Sequence, residues 1–272
     1  MSPDAEAVLR ERWSRSQRYI TAFSVLLPAL QFLLCTAIVM LTGDGLFSVA
    51  AVPLVPVAVA APALRHWLRR QTPLDPSSWP PAAFLAVAVQ QLSIAIPAYG
   101  IATGRTPDAL TGPAVLFFGS WAVAVATCPS AHRASRALLT PLAAELGSAD
   151  LRLTLEVRTA VSGPELVSAR IVLDRDRVEW TVCLHAGRGR GARLERSVPF
   201  RDLIRVMPVT LPVVPESRPW TVLPGGITLY AGAGPGVVLT TIEDEWLLPV
   251  HDAALVTELL NRRRDLWALG TG

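Results

Sequence analysis

Residues 20–41 read ITAFSVLLPALQFLLCTAIVML, a run of 22 residues without a charge. A helix needs about 20 mainly apolar residues to cross the hydrocarbon core of a bilayer. Twelve of these residues are Leu, Ile, Phe or Val. Each is worth about −0.3 to −0.6 kcal/mol near the centre of an inserting helix, so together they give roughly −4 to −7 kcal/mol before polar costs. Three further charge-free runs follow at 46–64, 80–101 and 113–130, with 9, 8 and 6 such residues, the last helped by Trp121. The expectation is a membrane all-α region over 19–131 with four transmembrane helices. A cleaved signal peptide fits poorly, because the first run is longer than a typical signal core and Asp4, Glu6 and Glu11 precede it.

Arginine placement sets the orientation. Residues 1–18, a basic N-terminal segment, carry Arg10, Arg12, Arg15 and Arg18; the link after the second run carries Arg65, Arg69 and Arg70; Arg133 and Arg136 follow the fourth. The two opposite links hold only Arg105 between them. Nine against one predicts both termini on the cytoplasmic side of a multi-pass plasma-membrane protein. Tyr19, Trp67 and Trp79 fall where aromatic rings anchor helices at the interface.

The whole composition agrees. Of 272 residues 51% are hydrophobic and 17% charged, against about 25% charged in soluble domains. Every one of the 25 basic residues is arginine, and the three cysteines, Cys35, Cys128 and Cys183, have no paired or zinc-type spacing. Residues 1–147 hold 10 Arg against 7 acids and residues 148–272 hold 15 against 15, so neither half is a basic, nucleic-acid-type domain.

No ionisable side chain lies inside the four runs, which argues against proton-coupled transport. The central polar residues are Gln31 and Thr36, then Gln90, Gln91 and Ser93, then Ser120. They serve as interhelical hydrogen-bonding groups or line a polar path. Pro28, Pro53, Pro56, Pro62 and Pro97 favour kinks, and the second span should be the least regular.

The pattern changes past a cytosolic helical linker over 132–147, with a helix expected at Ala137–Leu146. From Leu151 apolar and polar residues alternate, as in half-buried strands. Strands are expected near 151–159, 166–173, 177–185, 193–200, 203–207, 220–223, 227–230, 237–241 and 246–250, with a proline-rich excursion at 208–219. A closing amphipathic helix over Asp252–Trp267 turns Ala253, Val256, Leu260 and Trp267 to one face and puts Arg262, Arg263 and Arg264 in its last turns. This is a cytosolic domain at 148–272.

Three segments carry a family resemblance: Ser197-Val-Pro-Phe-Arg-Asp-Leu-Ile-Arg-Val206, Pro235-Gly-Val-Val-Leu-Thr240, and Glu245-Trp-Leu-Leu-Pro-Val-His-Asp-Ala253. Together they resemble bacterial PH-like (pleckstrin-homology-like) domains of actinobacterial-type membrane proteins, in which a "PVDDA"-type strand runs into the last helix. Here His251 stands where an acid is common. The resemblance spans about 150–267 and implies a small, mostly β, PH-like barrel with one C-terminal helix. Fold alone does not carry an activity.

Catalytic patterns are absent from the sequence: no GxSxG, no HExxH and no phosphate loop. His66, His132, His185 and His251 are scattered, and no thiol or carboxylate set has metal spacing. Neither a cofactor nor a metal is expected. Ser120 has no histidine in another span to activate it, and Glu243-Asp-Glu245 reads as a turn. The most suggestive feature is the basic tract Arg188, Arg190, Arg193 and Arg196, placed by the pattern on a strand–strand loop. Residues 170–205 hold 9 Arg against 5 acids. Contact with anionic lipid headgroups fits this charge, each arginine contributing about 1 kcal/mol near a membrane surface; a solvated hairpin is the plainer reading. RNA is a poor fit because no aromatic residue interleaves.

Three functions remain open from sequence. The first is a non-enzymatic membrane protein whose cytosolic module binds lipid or a protein partner as scaffold, assembly factor or regulator. The second is an oligomeric transport component, and the third a membrane enzyme.

Overall fold

A computed structural model describes residues 3–42, 51–104, 111–158, 166–186, 189–212 and 218–270. The chain divides into two compact units, Arg10–Thr140 and Met1–Leu9 with Pro141–Gly272.

The first unit is helical. Helix α1 (Pro3–Thr21) runs through a π-helical turn (Ala22–Leu26) into α2 (Leu27–Thr42); α3 (Leu54–Arg70), α4 (Trp79–Gly104) and α5 (Thr111–Leu139) follow. The π turn has a local cause. Pro28 lacks an amide hydrogen and its ring would strike the carbonyl of Ser24, so the turn upstream widens. Three helical stretches are long and apolar enough to cross a membrane: Glu6–Leu41, Pro76–Gly100 and Thr111–Leu139. The expected second span is different. Residues 43–50 lie outside the described residues, and α3 has 17 residues with Arg65, Arg69 and Arg70 in its second half. Its late start follows from Pro53 at the cap and Pro56 in the first turn, positions where a missing amide hydrogen costs nothing.

Cys35, Ile38, Val57 and Ile94 form a buried cluster, covered by Phe32, Leu54 and Phe117. At the opposite end, Ser16 Oγ donates to the Ala134 carbonyl at 2.8 Å and buried Arg12 donates to the Leu138 carbonyl at 3.4 Å. The outside is apolar: Leu33, Phe84, Leu92, Ile96, Phe118 and Val125 are each more than half exposed. A soluble protein avoids so continuous an apolar surface, whereas hydrocarbon welcomes it. Trp79, expected as an interfacial anchor, does not present its ring on the outside of the bundle. It is fully buried, and its Nε1 donates to Gln71 Oε1 at 3.2 Å in the α3–α4 connection.

The second unit is β-rich. The expected linker helix stops at Leu139, because Pro141 cannot continue it, and a 3-10 turn (Ala144–Ser148) follows. Strands β1 (Leu153–Glu156), β2 (Leu166–Leu173), β3 (Arg177–Ala186) and β4 (Gly189–Pro199) make an antiparallel meander. Strand β5 (Leu203–Leu211) pairs with β8 (Gly234–Thr241), which pairs with β9 (Glu245–Pro249). Between them β6 (Arg218–Leu223) and β7 (Ile227–Ala231) form a hairpin. Among the described residues these are three separate open sheets, where a closed barrel was expected. Strand β5 also overruns its expected end. Pro208 sits within it opposite Val237, tolerated because β5 is an edge strand.

Helix α6 (Ala253–Gly270) closes the unit, and Asp252 Oδ1 accepts the Leu255 amide at 3.0 Å as its N-cap. Ala253, Val256, Leu259 and Leu260 are buried. The next position on that face is Arg263 rather than Trp267, which is only half-buried. Because α6 runs on to Gly270, its arginines stand in mid-helix, and Arg263 turns inward.

Candidate functional site

The four-stranded sheet buries one face and exposes the other. Trp180, Val182 and Leu184 of β3 are buried, so Thr181, Cys183 and His185 alternate to the outer face. The ladder sets Ser168 of β2 opposite Cys183 and Arg170 opposite Thr181; on the other side Arg193 of β4 stands opposite Cys183 and Glu195 opposite Thr181. These side chains line an open concavity of about 540 Å³ formed by Ser168, Arg170, Thr181, Cys183, His185 and Arg193. Ser168 Oγ and His185 Nε2 are 2.8 Å apart. Arg193 pairs with Glu195. Arg170 has no ion-pair partner among the described residues, although Glu156 of β1 stands opposite it in the ladder.

A backbone irregularity shapes this end of the sheet. The β3–β4 register shifts between Cys183 and His185, and β4 passes the bulge at Gly191. A Cβ on Gly191 would run into the Leu184 carbonyl oxygen. Glycine is therefore required there by close approach of the two strands.

The concavity is lined by two guanidinium groups, an imidazole and two hydroxyls; Arg193 is held by Glu195 and Ser168 by His185, which leaves Arg170 as the cation best placed to meet an anion. Among the described residues no third side chain bonds His185 Nδ1 to orient the ring. Among the same residues no cluster of three or more His, Cys, Asp or Glu is placed to hold a metal ion.

The basic tract read from sequence is divided. Arg190 is on strand β4 itself, where a turn was expected, and stands opposite His185; Arg193 is on the same strand, at the start of the expected 193–200 segment. Arg188 lies outside the described residues. Arg196 is on the other face from Arg193, opposite Trp180; its Cζ lies 5.3 Å from the Trp246 ring centre, and Trp246 in turn packs against Trp180 at 5.3 Å. A second hollow of about 350 Å³ there has Asp202, Glu243 and Asp244 on its wall, which gives it the opposite electrostatic character. Sequence reading passed over Ser168, Arg170, Thr181 and His185 as site residues. The signal that finds them is the β2–β3 hairpin: its turn at Asp174–Asp176 fixes which polar positions share a face.

In the helical unit the polar residues mostly find partners. Gln90 Nε2 donates to the Val57 carbonyl at 3.3 Å, and Gln91 Nε2 to the Ser120 carbonyl at 2.8 Å. Ser120 Oγ lies 3.2 Å from Gln91 Oε1 and 2.7 Å from the Phe117 carbonyl. Gln31 makes no such bond. It is 1% exposed, and among the described residues neither amide atom has a hydrogen-bond partner.

Fold and site together define an apolar helical bundle joined to a β-rich domain with an arginine-bearing hollow on one sheet face. No protein-family model, no curated protein and no solved structure matches the chain.

Proposed function

We propose that the chain is a non-enzymatic, multi-pass membrane protein whose C-terminal domain is a PH-like module that binds anionic headgroups at the inner leaflet, in a scaffolding, assembly or regulatory role. The observation that carries the reading is the concavity on the outer face of β2–β4, with Arg170, His185 and Arg193 around it. Arg190 and its sequence neighbour Arg188 extend the same basic tract. Sheets of four and three strands followed by one helix support the PH-like assignment, with the β6–β7 hairpin as an insertion.

The reading makes α3 a fourth crossing. The charge-free run that ends in α3, 46–64, has 19 residues, close to the roughly 20 that a crossing needs. An even number of crossings keeps Arg133, Arg136 and the β-rich domain on the side of the N-terminal arginines. The transport alternative is less well supported. Gln90, Gln91 and Ser120, which would line a path, hydrogen-bond to neighbouring helices.

The test is co-sedimentation of the Pro141–Gly272 fragment, first checked for a cooperative β-rich melt, with vesicles containing or lacking anionic lipid at two salt concentrations. Binding that falls with salt is expected, weakened about fivefold by Arg170→Ala or Arg193→Ala and unchanged by Arg196→Ala. Equal binding to neutral vesicles, or sensitivity to Arg196 alone, would refute it; no binding at all would turn the site toward a protein partner.

A further inference from the structure

A groove runs between α3 and α4, about 680 Å³ in volume and almost wholly apolar. Its floor is made of small side chains, Ala60 and Ala63 from α3 with Ala82 and Ala86 from α4, and Leu85 and Trp67 rise beside it. On α3 it extends from Pro56 to Trp67, about 17 Å of helix. That is close to half of a hydrocarbon core of about 30 Å, the depth of one leaflet.

The groove's face of α3 continues along Pro56, Ala60, Ala63 and Trp67, in steps of four and three residues, directly to Arg70. Arg70 is exposed and has no ion-pair partner among the described residues. The carboxylate nearest to it in sequence, that of Asp75, already accepts the Ser77 amide at 3.1 Å and the Ser77 hydroxyl at 2.6 Å. An apolar slot one leaflet deep that ends at an unpaired cation is complementary to one class of molecule.

We propose that this groove holds a phospholipid with an anionic headgroup, one acyl chain lying along Ala60, Ala63, Ala82 and Ala86 and the phosphate paired with Arg70. The site is separate from the cationic sheet face, and it rests on the reading that the helical unit lies in a bilayer. Trp67, 39% exposed at the same end, is suited to the interfacial level where a headgroup begins.

The experiment is native mass spectrometry of the full chain in neutral detergent, titrated separately with phosphatidylglycerol and phosphatidylcholine. Alkaline extraction of membranes comes first, so that a chain released into the soluble fraction overturns the bilayer reading by itself. One tightly retained phosphatidylglycerol is expected, with phosphatidylcholine retained at least fivefold less. Arg70→Gln reduces phosphatidylglycerol retention about fivefold. Ala63→Leu with Ala82→Leu abolishes it while Arg70 remains; an unchanged thermal midpoint for Arg70→Gln shows that fold is not the cause. Equal retention of both lipids, indifference to Arg70→Gln, or a dimer that only the leucine variant dissolves would each overturn the proposal, the last by making a second copy the occupant.

Discussion

Arg263 shows how a single residue departs from its sequence pattern. It lies inside α6 at 0% exposure, where its Nε donates to the Gly147 carbonyl at 3.0 Å and its Nη2 to the Leu146 carbonyl at 3.3 Å. Gly147 is part of the fit, since a Cβ there would stand 2.6 Å from the Leu259 carbonyl oxygen. Burial pushes the guanidinium down to about 10, opposed in part by Asp150 and Asp174. The unfolded chain therefore holds this proton over a pH range in which the folded chain has released it, so this group's contribution to stability rises as pH climbs through 10 and is lost as pH falls through it. At neutral pH the buried charge is a cost that its hydrogen bonds offset. Arg263→Ala strands two buried carbonyls and should lower unfolding free energy by about 2 kcal/mol or more. Arg263→Met keeps the packing and should cost less, with wild type gaining on it between pH 9 and 11; urea titrations at several pH values would read both effects. Gln31 and Gln91 make a second contrast. Gln91 exchanges two hydrogen bonds with Ser120, so Gln91→Leu should destabilise the bundle by roughly 0.6–1.7 kcal/mol per bond. Gln31 has no hydrogen-bond partner among the described residues, and Gln31→Leu should leave the melting temperature in detergent unchanged or raise it.

Elements were legible in proportion to how local their causes are. Strand β2 has the bounds its alternation predicts, 166–173, and β3 differs from expectation by one residue. The runs at 80–101 and 113–130 lie within α4 and α5. What the sequence hid was pairing. Alternation tells which residues of a strand share a face but not which neighbour lies beside them, so Arg193 and Arg196 looked like one patch until the register put them on opposite sides. Arg170 and His185, 15 positions apart, come together only through the hairpin. Arg263 was hidden for another reason. A cation in an amphipathic helix reads as surface, and only the two carbonyls of the turn at Ala144–Ser148 make it an interior residue. The bulge that shapes the cationic face depends on Gly191. Gly191→Ala should force β4 off the Leu184 carbonyl, lower the domain's melting temperature by at least the equivalent of about 1 kcal/mol, and weaken vesicle binding together with it.

At the scale of the whole molecule, the domain can read an inner-leaflet surface only if it shares a compartment with that leaflet. Three helical stretches are long and apolar enough to cross a membrane; three crossings alone would leave Arg133, Arg136 and the β-rich domain outside, and the proposed fourth crossing by α3 is what would keep them inside. Residue 175, exposed in the β2–β3 turn, is a suitable reporter. With Cys35, Cys128 and Cys183 replaced by serine or alanine and Arg175→Cys introduced, a membrane-impermeant maleimide would be applied to right-side-out and inverted vesicles. The account predicts labelling in inverted vesicles only. Labelling of intact right-side-out vesicles would place the domain outside, leave α3 short of a crossing, and contradict the inner-leaflet function.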